Sequence, residues 1–233
     1  MRKIYLSANR YTQEQEEKAY KVSELLRERG CEVTQDPREC DLVVSLGGDG
    51  AMLKAAKVAL AMDKPLAGIN AGRLGYLCAI ELADLDKNED PFSGLKVSER
   101  AVLETEAGGQ HCYALNDVVL GKRFYGQTVE MEVLLDGRTV MGIRGDGLII
   151  STPTGSTAYN RNAGGPLMLP DVDALCLTPI CSAEKPLVVS GRGKLEVRIK
   201  RGDCDVYIDG VKVENDQTSY FLRCAEKKLW LLH

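Results

Sequence analysis

Three clusters of residues in this 233-residue chain combine glycine, carboxylate and hydroxyl groups in a way that suits phosphate chemistry. The first is Gly47-Gly48-Asp49-Gly50, which ends the apolar run "DLVVSL" and precedes the helix-forming "AMLKAAKVALAM". Glycine at the carboxyl end of a strand lets the backbone turn sharply and approach a ligand, and the following helix presents unpaired N–H groups to an anion. A carboxylate in such a turn is misplaced beside phosphate unless a metal, or a hydroxyl about to lose its proton, lies next to it. The combination favours phosphoryl transfer to an alcohol, with Asp49 as the base. Taken alone, the tetrapeptide fits a plain strand-to-helix turn capped by Asp49 equally well.

The second cluster is "ALNDVVL", which sets Asn116 and Asp117 side by side in an otherwise apolar run. A strand end or a bulge would account for that pair as readily as a ligand would. The third, from Arg144 to Pro170, crowds five Ser/Thr hydroxyls, five glycines and three prolines behind the core-like "LII". A loop held that close to a buried strand makes a good ligand wall. "INAGRLGYL" repeats the strand-to-glycine pattern at Asn70, Gly72 and Gly75. Neither G-x-x-x-x-G-K-[ST] nor a G-x-G-x-x-G after a predicted strand is found, so any nucleotide cradle is of another type.

The elements that must position these clusters fall into two patterns. Up to about residue 90, strand and helix signals alternate: "KIYLSA", then a helix with Ala19, Val22, Leu25 and Leu26 on one face and Gly30 as its stop, then "DLVVSL", "AMLKAAKVALAM" and "PLAGIN". Such alternation predicts a small parallel α/β, Rossmann-like domain. After the polar stretch "KNEDPFSG" the period changes to two. Val129, Met131, Val133 and Leu135 share one face of "TVEMEVLL", as Leu195, Val197 and Ile199 do in "KLEVRIK". Asp136-Gly137 and Asp209-Gly210 stand between strand-like runs, where hairpin turns favour them. The expected fold is therefore α/β plus all-β, with the change near residues 90 to 100.

Composition sets outer limits. A hydrophobic fraction of 44% and a charged fraction of 27% describe an ordinary globular chain. A net charge of -4 offers no global basic field for nucleic acid. No apolar run reaches the roughly 18 residues of a membrane span, and "MRKIYLSANR" does not read as a signal peptide. The expectation is a cytoplasmic protein with no nucleic-acid or membrane partner. The eight cysteines include no Cys-x-x-Cys pair and have only two histidines to assist them, so a structural zinc site is not expected.

In order and approximate spacing, "GGDG", "NAGRLGYL", "LNDVVL", "GDGLIISTPTGSTAY", "AGGPL" and "LTPIC" together resemble the bacterial-type NAD kinases. The resemblance covers nearly the whole chain, and its long hydroxyl-rich motif is highly specific. It implies ATP-dependent phosphorylation of the adenosine ribose 2'-hydroxyl of NAD, with a divalent metal, usually magnesium. Asp49 would then be the proton acceptor. The dinucleotide would be contacted by Asp49, Gly50, Tyr76 beside the adenine, Asn116, Asp117, Arg144, Asp146 and the run Thr157, Ala158, Tyr159, Asn160, Arg161 and Asn162. Gly47, Gly48 and Lys54 would serve the nucleotide phosphates.

By the same resemblance an α/β domain of residues 1–95, completed by a tail from about 218 to 233, precedes a β-sandwich-like, NAD-binding domain of residues 96–217. A homodimer or homotetramer with the dinucleotide near a subunit boundary is also implied. The chain departs from the family pattern at Asp117, where glutamate is usual, at Leu169, where histidine is common, at Asn162, where small residues are common, and in a shortened segment after Cys181. Two rival readings share part of this plan: a catalytically silent NAD sensor, and a lipid kinase of the diacylglycerol type, which shares "GGDG".

Overall fold

Helix α1 (Gln13–Glu28) starts where Thr12 accepts a hydrogen bond from the Gln15 N–H and ends ahead of Gly30, whose φ of 76° suits glycine. Ala19, Val22 and Leu26 on its inner face pack on a mainly parallel sheet. That sheet contains β1 (Lys3–Ala8), β2 (Glu32–Thr34), β3 (Leu42–Leu46), β4 (Leu66–Asn70), the two-residue β5 (Ile80–Glu81) and β6 (Val97–Arg100). Helix α2 (Asp49–Met62) joins β3 to β4. Every residue of β3 and β4 is buried, as expected of parallel strands covered on both faces. The structure is a computed structural model and describes residues 2–72, 75–87, 89–214 and 216–233. Arg73 and Leu74 of the second glycine motif therefore lie outside the described residues.

The strand order is β2-β1-β3-β4, followed by the chain's last strand, Leu229–Leu232, and β6, while β5 pairs with β4. β1 and β3 are neighbours whose connections leave in opposite directions, α1 toward β2 and α2 toward β4. This is a topological switch point, and its carboxyl-end crevice is where open α/β sheets bind ligands.

The chain divides into two units, one of residues Met1–Glu99 with Lys228–His233 and the other of Arg100–Lys227. Two antiparallel sheets build the second unit. One has β7 (Leu103–Ala107), β8 (Gln110–Ala114), β10 (Val129–Leu135), β11 (Arg138–Gly145), β15 (Leu195–Arg201) and β18 (Ser219–Cys224). The other has β9 (Asp117–Lys122), β12 (Gly147–Ser151), β13 (Ala174–Ile180), β14 (Leu187–Ser190), β16 (Cys204–Ile208) and β17 (Val211–Val213). Val129, Met131 and Val133 from the first and Leu120, Leu148 and Ile150 from the second share one core. The expected parallel α/β domain followed by a β-sandwich-like domain is what the chain forms. β18 belongs to this second unit because Tyr220 and Leu222 fill its core. Both Asp-Gly pairs have positive φ at both residues, the geometry of tight hairpin turns. No helix of the described residues is long and apolar enough to cross a membrane.

Candidate active site

In the first unit β3 ends at Leu46, and Gly47 takes φ 144°, where an added Cβ would lie 2.7 Å from the Ala51 Cβ. Gly48 then caps α2 without a side chain, and Asp49 is the helix's first residue. Asp49 does not cap its own helix. Its carboxylate instead accepts the backbone N–H groups of Tyr76 and Leu77, each at 3.2 Å, from the second glycine loop. Gly75 makes that grip possible, since a Cβ there would lie 2.4 Å from Asp49 Oδ1. The two glycine motifs thus converge on one carboxylate, with the Tyr76 ring exposed beside it.

One turn into α2, the Lys54 ammonium donates to Asn9 Oδ1 at 3.0 Å and Tyr11 Oη at 3.2 Å and lies over the Tyr11 ring. Its partners are neutral, so its charge is uncompensated among the described residues. Lys54 and Ala51 line a cleft of about 320 Å³ with Ser7 and Ala8, at the carboxyl end of β1, and Asn9, Arg10 and Tyr11, which follow it. This is the switch-point crevice. Two cations at its rim, Lys54 and the exposed Arg10, suit an anionic guest.

In the second unit Asn116 and Asp117 sit at the entry to β9. The Thr152 N–H donates to Asn116 O at 2.9 Å, and the Thr152 hydroxyl to Leu115 O at 2.6 Å. Gly155 packs so tightly here that a Cβ would lie 2.0 Å from Asn116 O. On the other side of the segment, the Asp209 carboxylate accepts the N–H groups of Leu115, Asn116 and Asp117. The Asn116 side chain remains half-buried and makes no hydrogen bond among the described residues. Asp117 is 5% exposed, and burial together with the Asp209 charge pushes its carboxyl up to about 7.

The hydroxyl-rich segment forms a short turn at Thr154–Thr157 and one helical turn, α3 (Tyr159–Asn162). Thr157, Ala158, Tyr159, Arg161 and Asn162 reach its surface. Asn160 is fully buried: its amide donates to the Ser156 and Pro166 carbonyls, and its oxygen accepts from Thr178 at 2.6 Å. It therefore braces the wall from behind, and the expected side-chain contact with a ligand does not suit its geometry. The Thr154 hydroxyl, which the sequence reading did not single out, is buried with no hydrogen-bond partner among the described residues.

Asp146 and Arg144 lie elsewhere. Asp146 precedes β12 and is paired with the Lys122 ammonium at 2.7 Å. Arg144, on β11, is largely exposed and 3.8 Å from Glu130. β9 and β12 are antiparallel, with Asp117 opposite Ser151 at one end and Gly121 opposite Gly147 at the other. At about 3.3 Å per residue, Asp146, opposite Lys122, and Asn116 are roughly 20 Å apart along the strands. Within one copy of the chain the structure brings Asn116, Asp117 and the 152–160 wall together, but not Arg144 or Asp146.

Comparison with known proteins bears on both units. The model of the ATP-NAD kinase N-terminal domain matches residues 1–91, and that of the ATP-NAD kinase C-terminal domain matches residues 115–229. The NAD kinase of Thiobacillus denitrificans is 38% identical over 203 residues, covering 83% of this chain and 68% of the relative. That of Sulfurimonas denitrificans is 34% identical over 224 residues, covering 91% and 79%. Among solved structures, an NAD kinase from Archaeoglobus fulgidus in complex with ATP aligns with a TM-score of 0.80 at 26% identity, over 100% of this chain and 94% of its own. Yeast NADH kinase complexed with NADH shares the fold, with a TM-score of 0.85 at 20% identity over 100% of this chain and 83% of its own. With both domain models matched and relatives this similar over most of its length, the chain belongs to the ATP-NAD kinase family.

Proposed function

We propose that the chain transfers the γ-phosphoryl group of ATP to the 2'-hydroxyl of the adenosine ribose of NAD, giving NADP and ADP, with Asp49 as general base. The observation that carries this reading is the Asp49 carboxylate, fixed by two backbone N–H groups at the amino end of α2. Each oxygen accepts one amide and keeps a lone pair for the ribose proton. Such a reaction rests mainly on positioning and charge neutralisation, so one aimed carboxylate and a web of N–H, hydroxyl and ammonium donors suffice.

The donor's phosphates are assigned to Gly47, Gly48 and Lys54 in the first unit, Met1–Glu99 with Lys228–His233. Asp49, Gly50 and Tyr76 are assigned to the dinucleotide from the same unit. The second unit, Arg100–Lys227, contributes Asn116, Asp117 and the wall from Thr157 to Asn162, in which Asn160 supports the others. Arg144 and Asp146, far from Asn116 along the strands, fit the same ligand class if the chain works in the cytoplasm as a homodimer or homotetramer with its site near a subunit boundary.

Among the described residues no three carboxylate, imidazole or thiol groups converge as a metal cage. If magnesium serves the reaction, Asp49 is the carboxylate that the glycine turn would supply to it. When bound, it would neutralise phosphate charge.

The test is NADP formation by purified chain with NAD, ATP and magnesium, read with an NADP-specific dehydrogenase, and with polyphosphate as donor in parallel. Steady NADP accumulation is expected. Saturable NAD binding with no NADP from any donor would overturn the reading in favour of a silent NAD sensor, and binding to lipid vesicles with lipid phosphorylation would favour the lipid kinase.

A further inference from the structure

We infer that Asp209 is a positioning residue for the dinucleotide, holding the Leu115–Asp117 segment so that the Asn116 and Asp117 side chains face the ligand. The inference rests on the proposed role of Asn116 and Asp117. Asp209 Oδ2 accepts the Leu115 N–H at 2.8 Å, and Oδ1 accepts those of Asn116 at 2.7 Å and Asp117 at 3.3 Å. In return the Asp209 N–H donates to Asp117 O at 3.0 Å. Three successive amides on one carboxylate form a grip that an ordinary hairpin turn does not need.

The turn supplies the geometry. Asp209 has φ 48° and Gly210 φ 76°, so the chain reverses directly after β16, which runs antiparallel to β9 with Ile208 opposite Val118. One residue further, the Asp209 side chain reaches back across the end of β9. The carbonyl side of the same segment is held independently, by Thr152 on Leu115 O and Asn116 O. With its amides and carbonyls fixed from opposite sides, the backbone is immobilised while the Asn116 amide stays without a partner among the described residues. Asp117, 5% exposed and likewise without a hydrogen-bond partner for its carboxylate among the described residues, lies close enough to Asp209 for the two charges to oppose each other. A fold optimised for stability alone would not set two carboxylates together at a buried strand end.

Asp209→Asn keeps the shape but replaces one acceptor oxygen by an NH₂ that must face an N–H, so at least one amide of the three loses its partner. The expected result is a KM for NAD raised about tenfold or more, with kcat changed less than about threefold and the KM for ATP unaltered. Because Asp209 is held to act through Asn116, Asn116→Ala and Asp209→Asn should combine to less than the product of their separate effects. An Asp209→Asn enzyme with a normal KM for NAD, or one whose losses fall equally on both substrates and multiply with those of Asn116→Ala, overturns the inference. A normal KM for NAD in Asn116→Ala would instead overturn the role given to Asn116 itself. If Asp209→Asn does not fold, amide exchange in the unaltered protein decides. Leu115 and Asn116 N–H groups slowed about a hundredfold or more relative to an open chain support the grip, and open-chain rates refute it.

Discussion

Gly75→Ala separates catalysis from stability more cleanly than removal of any charged group. A Cβ at residue 75 would stand 2.4 Å from Asp49 Oδ1 and 3.0 Å from Asp49 Cγ. Restoring an ordinary contact of about 3.4 Å requires the carboxylate to withdraw by roughly 1 Å. Only the end of a side chain must move, so the fold loses little, and thermal unfolding should shift by no more than about 4 °C. The carboxylate that moves is the proposed base, however, and its hydrogen bonds from the Tyr76 and Leu77 amides, both at 3.2 Å, lengthen with it. A misplacement of about 1 Å commonly costs about a hundredfold in rate, or about 2.7 kcal/mol of transition-state stabilisation. The assay is kcat for NADP formation beside calorimetric NAD binding and a melting curve. A folded Gly75→Ala enzyme with kcat within threefold of normal would refute the argument that this loop aims Asp49.

Asp117 gives a pH signature. Its carboxyl titrates near 4 in the unfolded chain and at about 7 in the fold, so the folded state binds the extra proton between those values. Stability should therefore fall as pH rises from about 4 to about 7 and level off above, and Asp117→Asn should flatten that slope in denaturant titrations. Gly155→Ala places a Cβ 2.0 Å from the Asn116 carbonyl oxygen, backbone against backbone. It should cost about 1–3 kcal/mol in unfolding experiments and raise the KM for NAD. Thr154→Val removes a buried hydroxyl that has no partner among the described residues, so the melting temperature of the ligand-free protein should stay the same or rise. A clear fall would show that the hydroxyl is satisfied within the protein.

The parts legible in the sequence were those governed by local periodicity. Val129, Met131 and Val133 alternate inward because strand side chains must, and Thr12 and Gly30 bound α1 because helix ends need an acceptor and a positive φ. The glycine turn was legible as a turn, but not the grip on Asp49, which comes from amides 27 and 28 residues later. Asp209 read only as a hairpin residue, since its three amide partners lie 92 to 94 positions away. Asn160 stands in the middle of a ligand-wall motif, yet its place at the back of α3 turns its amide toward Thr178. Asp146 falls in the same motif as the hydroxyl cluster, and only the length of β12 shows that the two are at opposite ends.

The most direct test of the account is Asp49→Asn, compared with the unaltered protein for NADP formation and for NAD binding by calorimetry. The substitution keeps the shape of the side chain and removes the proton acceptor. The account predicts a loss of about 10²- to 10⁴-fold in kcat with NAD binding retained. Turnover near the normal rate in a folded Asp49→Asn protein would contradict it.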